Sequence, residues 1–299
     1  MPELPEVETI AQGLRKAIAG KRIKEVKAIF PGIVRQNFSV FKKSIIQKRI
    51  KRVRRRGKYL LIDLSGGMNR MVHTGGKTIL VHLGMTGNFL FGRSTDCSRE
   101  PPGQRVSESE FDDKHDRLIF RFYGSDEQLR YNDLRKFGKM KVFNTAKERT
   151  IPELKKLGPE ALEIKFSEFI EIFRRRKGKI KSALLNQQII AGLGNIYADE
   201  SLFEAKIHPE QKADKLNPKK LRRLHQAIQK ILKKAIKAGG SSIENYYNIS
   251  GEIGSFQLQH KVYGREGEPC KRCGAKIKRI KINQRSSYFC PRCQPLKDA

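Results

Sequence analysis

Between residues 6 and 18 apolar side chains return at the helical interval, with Val7, Ile10, Ala11, Leu14, Ala17 and Ile18 on one stripe. This predicts an amphipathic helix, and Gly20 is placed to end it. From there to about residue 145 the pattern shortens to strands: Arg22–Phe30, Lys58–Leu64, Lys77–Met85, Arg117–Tyr123, Gln128–Asn132 and Lys139–Phe143. They are rich in Ile, Val, Phe and Tyr, and turn signals such as Ser65-Gly66-Gly67 and Gly124-Ser125-Asp126 separate them. Several short strands at such spacing predict a sandwich or barrel. Residues 92–116 are polar, Pro-bearing and aperiodic, which predicts a long mobile loop.

Past Pro152 the period becomes helical. Phe166, Phe169, Ile170 and Phe173 share a face, and a helical pattern spans Ile180 to Ile190. A break follows at Gly192-Leu193-Gly194, then Asn195 opens another helical run to Ala205. The best-marked helix covers 218–238: Asn217 caps it, Pro218 suits its first position, and Gly239 follows its end. Its stripe is Leu221, Leu224, Ile228, Ile231, Leu232 and Ala235. Residues 240–260, rich in Gly, Ser, Asn and Gln, read as a loop. The order is helix, β domain, helical domain, with no convincing internal repeat.

Charge changes the picture most. The 299 residues, length for about two domains, carry 63 Lys and Arg against 31 Asp and Glu, a net charge of +32 with a pI near 10.2. Such a surplus implies a polyanionic partner, nucleic acid or an anionic membrane. Sixteen Phe and eight Tyr, spread through both halves, argue against disorder. No apolar run approaches the roughly 18 residues that a membrane span needs, and MPELPEVETI has no apolar signal core. A soluble, cytoplasmic, nucleic-acid-bound protein is expected, without a membrane or a small-molecule cofactor, and a monomer by default.

Four of the five cysteines form Cys270-x2-Cys273 and Cys290-x2-Cys293, with 16 residues between the pairs. This spacing predicts one zinc ion held by four thiolates in a C-terminal hairpin. Four thiolates leave no open coordination position, so the metal is expected to be structural. A pair of disulfides is the competing reading, disfavoured by a reducing compartment and the basic flanks. Cys97 stands alone in a polar stretch and is read as incidental.

Several segments, in order, resemble bacterial formamidopyrimidine-DNA glycosylases. They are Pro2-Glu3-Leu4-Pro5-Glu6-Val7-Glu8, Gly57-Lys58-Tyr59-Leu60, His82-Leu83-Gly84-Met85-Thr86-Gly87, Asp133-Leu134-Arg135-Lys136-Phe137-Gly138, Gly192-Leu193-Gly194-Asn195-Ile196-Tyr197-Ala198, Ile207-His208-Pro209, Val262-Tyr263-Gly264-Arg265, and Gln284-Arg285. The resemblance runs over nearly the whole chain. It implies an α+β multidomain fold: a catalytic β-sandwich with a leading helix (1–150), a helix-two-turn-helix domain (151–240), a lesion-recognition loop region (241–261) and a zinc finger (262–299). It also implies excision of oxidised purines, chiefly 8-oxoguanine opposite cytosine and formamidopyrimidines, from damaged double-stranded DNA.

The resemblance implies roles for individual residues. Loss of Met1 would free the secondary amine of Pro2. An α-amino group titrates near 8, so roughly a tenth is unprotonated at neutral pH, against well under a thousandth for a lysine. Attack by that amine on C1′ of the deoxyribose would expel the base and leave an iminium, which acidifies the C2′ proton for β- and then δ-elimination. Glu3 is the implied proton donor, and Glu6 a like charge that would keep it protonated. Lys58, expected in a strand, is implied in β-elimination, and Arg285 in δ-elimination, as a phosphate clamp. Met85, Arg135 and Phe137 would fill the space left by an extruded base. His115, Arg176, Lys181 and Asn195 are implied contacts to the DNA backbone. Arg176 sits in the run Arg174-Arg175-Arg176-Lys177, whose members are interchangeable by sequence.

Leu134 and Lys136 depart from the family's usual Pro and Arg, and the loops around 66–76 and 92–114 look longer than the usual pattern. The +32 charge is also high for this class, and should raise and steepen non-specific DNA binding. Two other functions remain open at this point. An endonuclease VIII-like enzyme would use much the same residues on oxidised pyrimidines, and a non-catalytic zinc-dependent DNA-binding protein would share everything but the free Pro2 and neighbouring Glu3. RNA binding through the basic runs lacks the expected aromatic stacking motifs.

Overall fold

The computed structural model describes residues 1–65, 75–93 and 113–296. Cys97, and most of the two loops singled out as long, lie outside the described residues. The chain divides into two compact units. One comprises Met1–Lys155 together with Gly239–Ser255, and the other Lys156–Ala238 together with Phe256–Ala299.

The first unit opens with α1 (Leu4–Ile18), where Glu3 occupies the N-cap position, Pro5 lies in the first turn, and Arg15 and Lys16 lie in the last turn. Two four-stranded antiparallel sheets follow. One runs β1 (Ile23–Ala28), β6 (Asp116–Phe122), β7 (Glu127–Asp133), β5 (Gly87–Arg93). The other runs β2 (Ile50–Arg56), β3 (Tyr59–Leu64), β4 (Lys77–His82), β8 (Lys139–Asn144). Inward residues of both sheets, among them Val26, Phe89, Leu118 and Tyr131 facing Val53, Leu60, Ile62 and Val81, share one core with the α1 stripe. The expected sandwich with a leading helix is therefore present.

Helix α2 (Phe38–Ile45) and strands β2 and β5 escaped the sequence reading. The reason is clearest for β2, Ile-Lys-Arg-Val-Arg-Arg-Arg, in which Ile50 and Val53 are the only apolar residues. Its cations are matched by carboxylates distant in sequence. Arg52 and Arg54 bond Asp63 at 2.6 and 2.7 Å, Arg54 also reaches Glu148, and Arg55 bonds Glu8. Burial works against the Asp63 charge, but Arg54, Arg52 and the Thr78 hydroxyl outweigh it and hold its carboxyl below the usual range. Of the segment expected to be a loop, Gly92 and Arg93 belong to β5, where Arg93 still pairs with Glu127 on β7. Asp113–His115 form a 3₁₀ turn that leads into β6.

The short α3 (Pro152–Lys155) closes this stretch of the first unit. In the second unit, α4 (Phe166–Arg174), α5 (Ile180–Leu185), α6 (Asn195–Glu204) and α7 (Pro218–Lys237) form the helical part. The helix expected over Ile180–Ile190 stops at Leu185. Asn186, Gln187 and Gln188 then turn the chain, with Asn186 Oδ1 taking the Gln188 N–H and Gln187 bonding Gly192 and Leu193. Helix α6 is buried on every side from Ile196 to Phe203, Asp199, Glu200 and Ser201 included, so it shows no amphipathic stripe. A hairpin of β9 (Lys278–Ile282) and β10 (Arg285–Phe289) completes the unit. Its turn, Asn283-Gln284, has both residues at positive φ, as a two-residue type I′ connection requires. No described helix is long and apolar enough to cross a membrane.

Candidate active site

The N-terminus is seated by Glu6. Its Oε2 accepts the Glu3 N–H at 2.8 Å and its Oε1 accepts the Ser241 N–H at 2.8 Å. Pro2, Glu3 and Glu6 are all buried, while Met1 is exposed. One carboxylate thus ties the start of α1 to a segment 235 residues later in the chain. Gly240 makes this approach feasible. It has φ +86°, and a Cβ there would lie 2.9 Å from Glu6 Oε1. The 239–255 segment is fastened further along by Asn88 Nδ2 donating to the Asn245 carbonyl at 2.6 Å and by the Phe91 N–H donating to Ile249. The base of the loop is pinched: a Cβ on Gly254 would lie 2.3 Å from the Gly240 carbonyl oxygen. Most of the segment read as a loop is therefore integral to the unit that carries Pro2.

Lys58 is buried and lies in the β2–β3 turn with Gly57 (φ 57°), so it is a hairpin-turn residue and not the strand residue expected. Nearby, burial together with the Lys58 and Lys139 charges lowers the His82 pKa to about 4. His82 Nδ1 accepts the Gly84 N–H at 3.1 Å and is therefore unprotonated.

Met85, Arg135 and Phe137 lie on two adjacent turns with a common support. Asp133, 0% exposed, accepts the Thr86 hydroxyl at 2.6 Å through Oδ1 and the Gly138 N–H at 2.7 Å through Oδ2. Thr86 Oγ1 in turn accepts the Arg135 N–H at 3.0 Å. Gly84 faces the other turn so closely that a Cβ would stand 2.7 Å from Gly138 N and Phe137 C. On this rigid base Met85 (38% exposed) and Phe137 (50%) project outward, against the default of core packing. The Arg135 guanidinium lies 4.9 Å from the Phe137 ring centre, and Lys136 adopts φ 59° with its ammonium over Phe30. His115 belongs to the same arrangement through Arg117, which donates to the Asp133 carbonyl at 2.9 Å and approaches His115 Nδ1 at 3.4 Å.

In the second unit the structure corrects one expectation and sorts another. Lys181 is 0% exposed, and its ammonium bonds Asp199 at 2.7 Å, Ser287 Oγ at 2.7 Å and the Ser286 carbonyl at 3.0 Å. It is a buried brace on the β9–β10 hairpin and cannot be the surface phosphate contact expected of it. Asn195 Nδ2 donates to the same Ser286 carbonyl at 2.9 Å, and Tyr288 N–H donates to Asp199. Burial pushes the Asp199 carboxyl up, and the Lys181 charge pulls it back. Arg285, exposed at the head of β10, is thus held from behind by residues of α5 and α6. In the arginine run, Arg174 and Arg175 pair with Glu171, while Arg176 is exposed with no ion pair among the described residues.

The four C-terminal cysteines bring their Sγ atoms within 4.8 Å of one another. Cys273–Cys290 is 3.4 Å and Cys270–Cys293 is 4.0 Å. Bonds of about 2.3 Å in a tetrahedron need sulfur separations of about 3.8 Å, so the donor set suits zinc and is too wide for disulfides. Arg272 N–H and Cys293 N–H each point at a cysteine sulfur, as charged thiolates favour. The sulfurs sit in a small core of Phe203, Val262 and Ile277. Glu200 steers the chain into it by accepting the N–H groups of Lys261, Val262 and Tyr263.

Three family models match along the chain: the formamidopyrimidine-DNA glycosylase N-terminal domain over residues 1–140, the helix-two-turn-helix domain of the same enzymes over 157–246, and a zinc finger found in these glycosylases and in IleRS over 267–296. The chain belongs to the formamidopyrimidine-DNA glycosylase family. A formamidopyrimidine-DNA glycosylase of Ligilactobacillus salivarius is 41% identical over 299 residues, covering 99% of this chain and all of that one. Two Lactococcus lactis glycosylase structures, one with Fapy-dG-containing DNA and one with abasic-site DNA, each superpose with a TM-score of 0.83 at 39% identity, over 99% of this chain and all of theirs. The chain is accordingly a DNA-repair glycosylase, with one structural zinc held by Cys270, Cys273, Cys290 and Cys293. Sequence reasoning missed the supports of this glycosylase: Asp133, Thr86 and the Asp199–Lys181 pair. Asp133 lies inside a quoted motif, but nothing local marks it as the point where two turns meet.

Proposed function

We propose that this glycosylase excises oxidised purines, 8-oxoguanine opposite cytosine and formamidopyrimidines, from double-stranded DNA and then cleaves the strand as an AP lyase. The Pro2 amine, freed of Met1, attacks C1′ and the base departs with a proton from Glu3. The resulting iminium acidifies the C2′ proton, so the 3′ and then the 5′ phosphate leave. Lys58 moves protons in the first elimination and Arg285 clamps phosphate for the second. Met85, Arg135 and Phe137 occupy the vacated stack, while His115, Arg176 and Asn195 hold the backbone.

The observation that carries this reading is the buried Pro2-Glu3 start, with its backbone fixed by Glu6 and its neighbouring loop fastened by Ser241. A nucleophile must be held in one geometry to gain from proximity. The exposed Met85 and Phe137 on a rigid double turn support base extrusion over simple binding. The domain limits 1–150, 151–240, 241–261 and 262–299 are kept as functional divisions, although the 239–255 segment packs with the N-terminal unit.

The test is borohydride trapping on a duplex with one 8-oxoguanine opposite cytosine. The native enzyme is expected to form a covalent adduct, and a form extended at its N-terminus to form none. Binding without trapping or nicking would make the chain a DNA-binding relative without the chemistry. Trapping only on an oxidised pyrimidine would move the substrate to the endonuclease VIII type.

A further inference from the structure

Helix α7 contains eight of the chain's cations, Lys219, Lys220, Arg222, Arg223, Lys230, Lys233, Lys234 and Lys237, and no Asp or Glu in its 20 residues. Its apolar stripe, Leu221, Leu224, Ile228, Ile231, Leu232 and Ala235, is buried, and α7 packs against α4 and α6. The cations lie on the opposite side. Lys219 and Lys237 are 18 residues apart, five full turns, and so share one azimuth about 27 Å apart along the axis.

Three of the eight are engaged or influenced locally. Lys230 pairs with Glu204, Lys234 acts on the same carboxylate, and Arg222 stacks on Phe166. Lys219, Arg223, Lys233 and Lys237 are exposed, with no carboxylate in ion-pair range among the described residues. Their spacing works against the helix: Lys219–Arg223 and Lys233–Lys237 are like-charge i,i+4 pairs, and Lys219 and Lys220 sit at the positive end of the helix dipole. A face that only needed solvation would interleave acids and turn these repulsions into attractions.

We infer that the outer face of α7 is a second DNA-binding surface, which tracks the phosphates of undamaged duplex without reading sequence. This rests on the reading that the chain acts on DNA. It goes beyond that reading in adding a surface that contains none of the residues placed at the lesion. Charge complementarity selects the occupant. A rigid cation row about 27 Å long matches about eight phosphates of one strand at 3.4 Å per step, whereas an acidic peptide would have to order its charges to do the same. The surface also gives a use to part of the +32 excess.

The test uses the full-length zinc-loaded enzyme and the variant Lys219→Gln, Arg223→Gln, Lys233→Gln, Lys237→Gln. Binding to an undamaged duplex of about 40 base pairs is followed across a salt series. Each phosphate contact contributes about 0.9 to the slope of log K against log salt, so the slope is expected to fall by about 3 to 4. Changing Lys219, Lys233 and Lys237 to Arg is expected to retain it. Single-turnover excision from a lesion duplex of about 13 base pairs is expected to be unchanged. Its absence in the native enzyme would sink the glycosylase reading and leave the slope result to judge the α7 surface alone. Three results would overturn the inference: an unchanged slope, an equal fall when Lys24, Lys27, Lys43 and Lys51 are neutralised instead, or loss of binding only to anionic phosphatidylserine vesicles or polyglutamate.

Discussion

Thr86→Val removes one hydroxyl while keeping nearly the same volume, and it separates the support of the two turns from the side chains they present. The hydroxyl donates to the buried Asp133 carboxylate at 2.6 Å and accepts the Arg135 N–H at 3.0 Å. A hydrogen bond to a charged group contributes about 1.5–3 kcal/mol and a neutral one about 1 kcal/mol, so the variant should lose about 2.5–4 kcal/mol. Urea unfolding with an unchanged m-value measures this directly. Asp133→Asn disturbs the same bond, so the double variant should cost at least about 1 kcal/mol less than the sum of the two singles. Met85, Arg135 and Phe137 remain chemically intact, yet the turns that aim them loosen. Single-turnover excision of 8-oxoguanine should therefore fall by about tenfold, the equivalent of about 1.4 kcal/mol. A stability change below about 0.5 kcal/mol, or strict additivity in the cycle, would refute Asp133 and Thr86 as the link between the turns.

Lys181→Met leaves Asp199 buried without its cation, and a loss of about 3–5 kcal/mol is expected for breaking such a pair; a denaturation midpoint equal to the native one would contradict the brace. Gly240→Ala forces a Cβ into φ +86° and to 2.9 Å from Glu6 Oε1, so a loss of about 1–2 kcal/mol from the left-handed backbone alone is expected, with slower borohydride trapping. His82 has a folded pKa of about 4 against an ordinary 6.5, so its neutral form is favoured on folding. Its contribution is complete above pH 6.5 and is lost as pH falls toward 4, by about 3 kcal/mol at most. His260 is depressed in the same way, to about 4, and burial lowers His208 as well, so His82→Gln should reduce the fall in stability over that window without abolishing it.

Much was legible from local pattern. Helix α7, with its Asn217 cap, Pro218 and following Gly239, needs only its own residues to declare itself, and the Asn217 side chain does accept the Lys220 N–H. The CxxC pairs likewise carry their geometry in short turns. The motifs around Pro2, Met85, Arg135 and Phe137 marked the candidate site because each is a contiguous run of residues.

What the sequence hid lies where partners are distant along the chain. Strand β2 has too few apolar positions to announce itself, and it forms because Asp63, Glu148 and Glu8 meet its arginines. Lys181 and Arg176 look alike as basic residues of one cation-rich stretch, but tertiary packing encloses one against Asp199 and leaves the other in solvent. Residues 240–260 read only as a loop by composition, because nothing local states that Ser241 meets Glu6 or that Asn245 meets Asn88. Periodicity and spacing report interactions within a few residues, so by themselves they determined the elements with a clear apolar pattern, the zinc unit and the family's motifs. Which charges are buried, and which turns share a support, was decided by contacts between residues tens to hundreds of positions apart, and these exist only once the chain has folded.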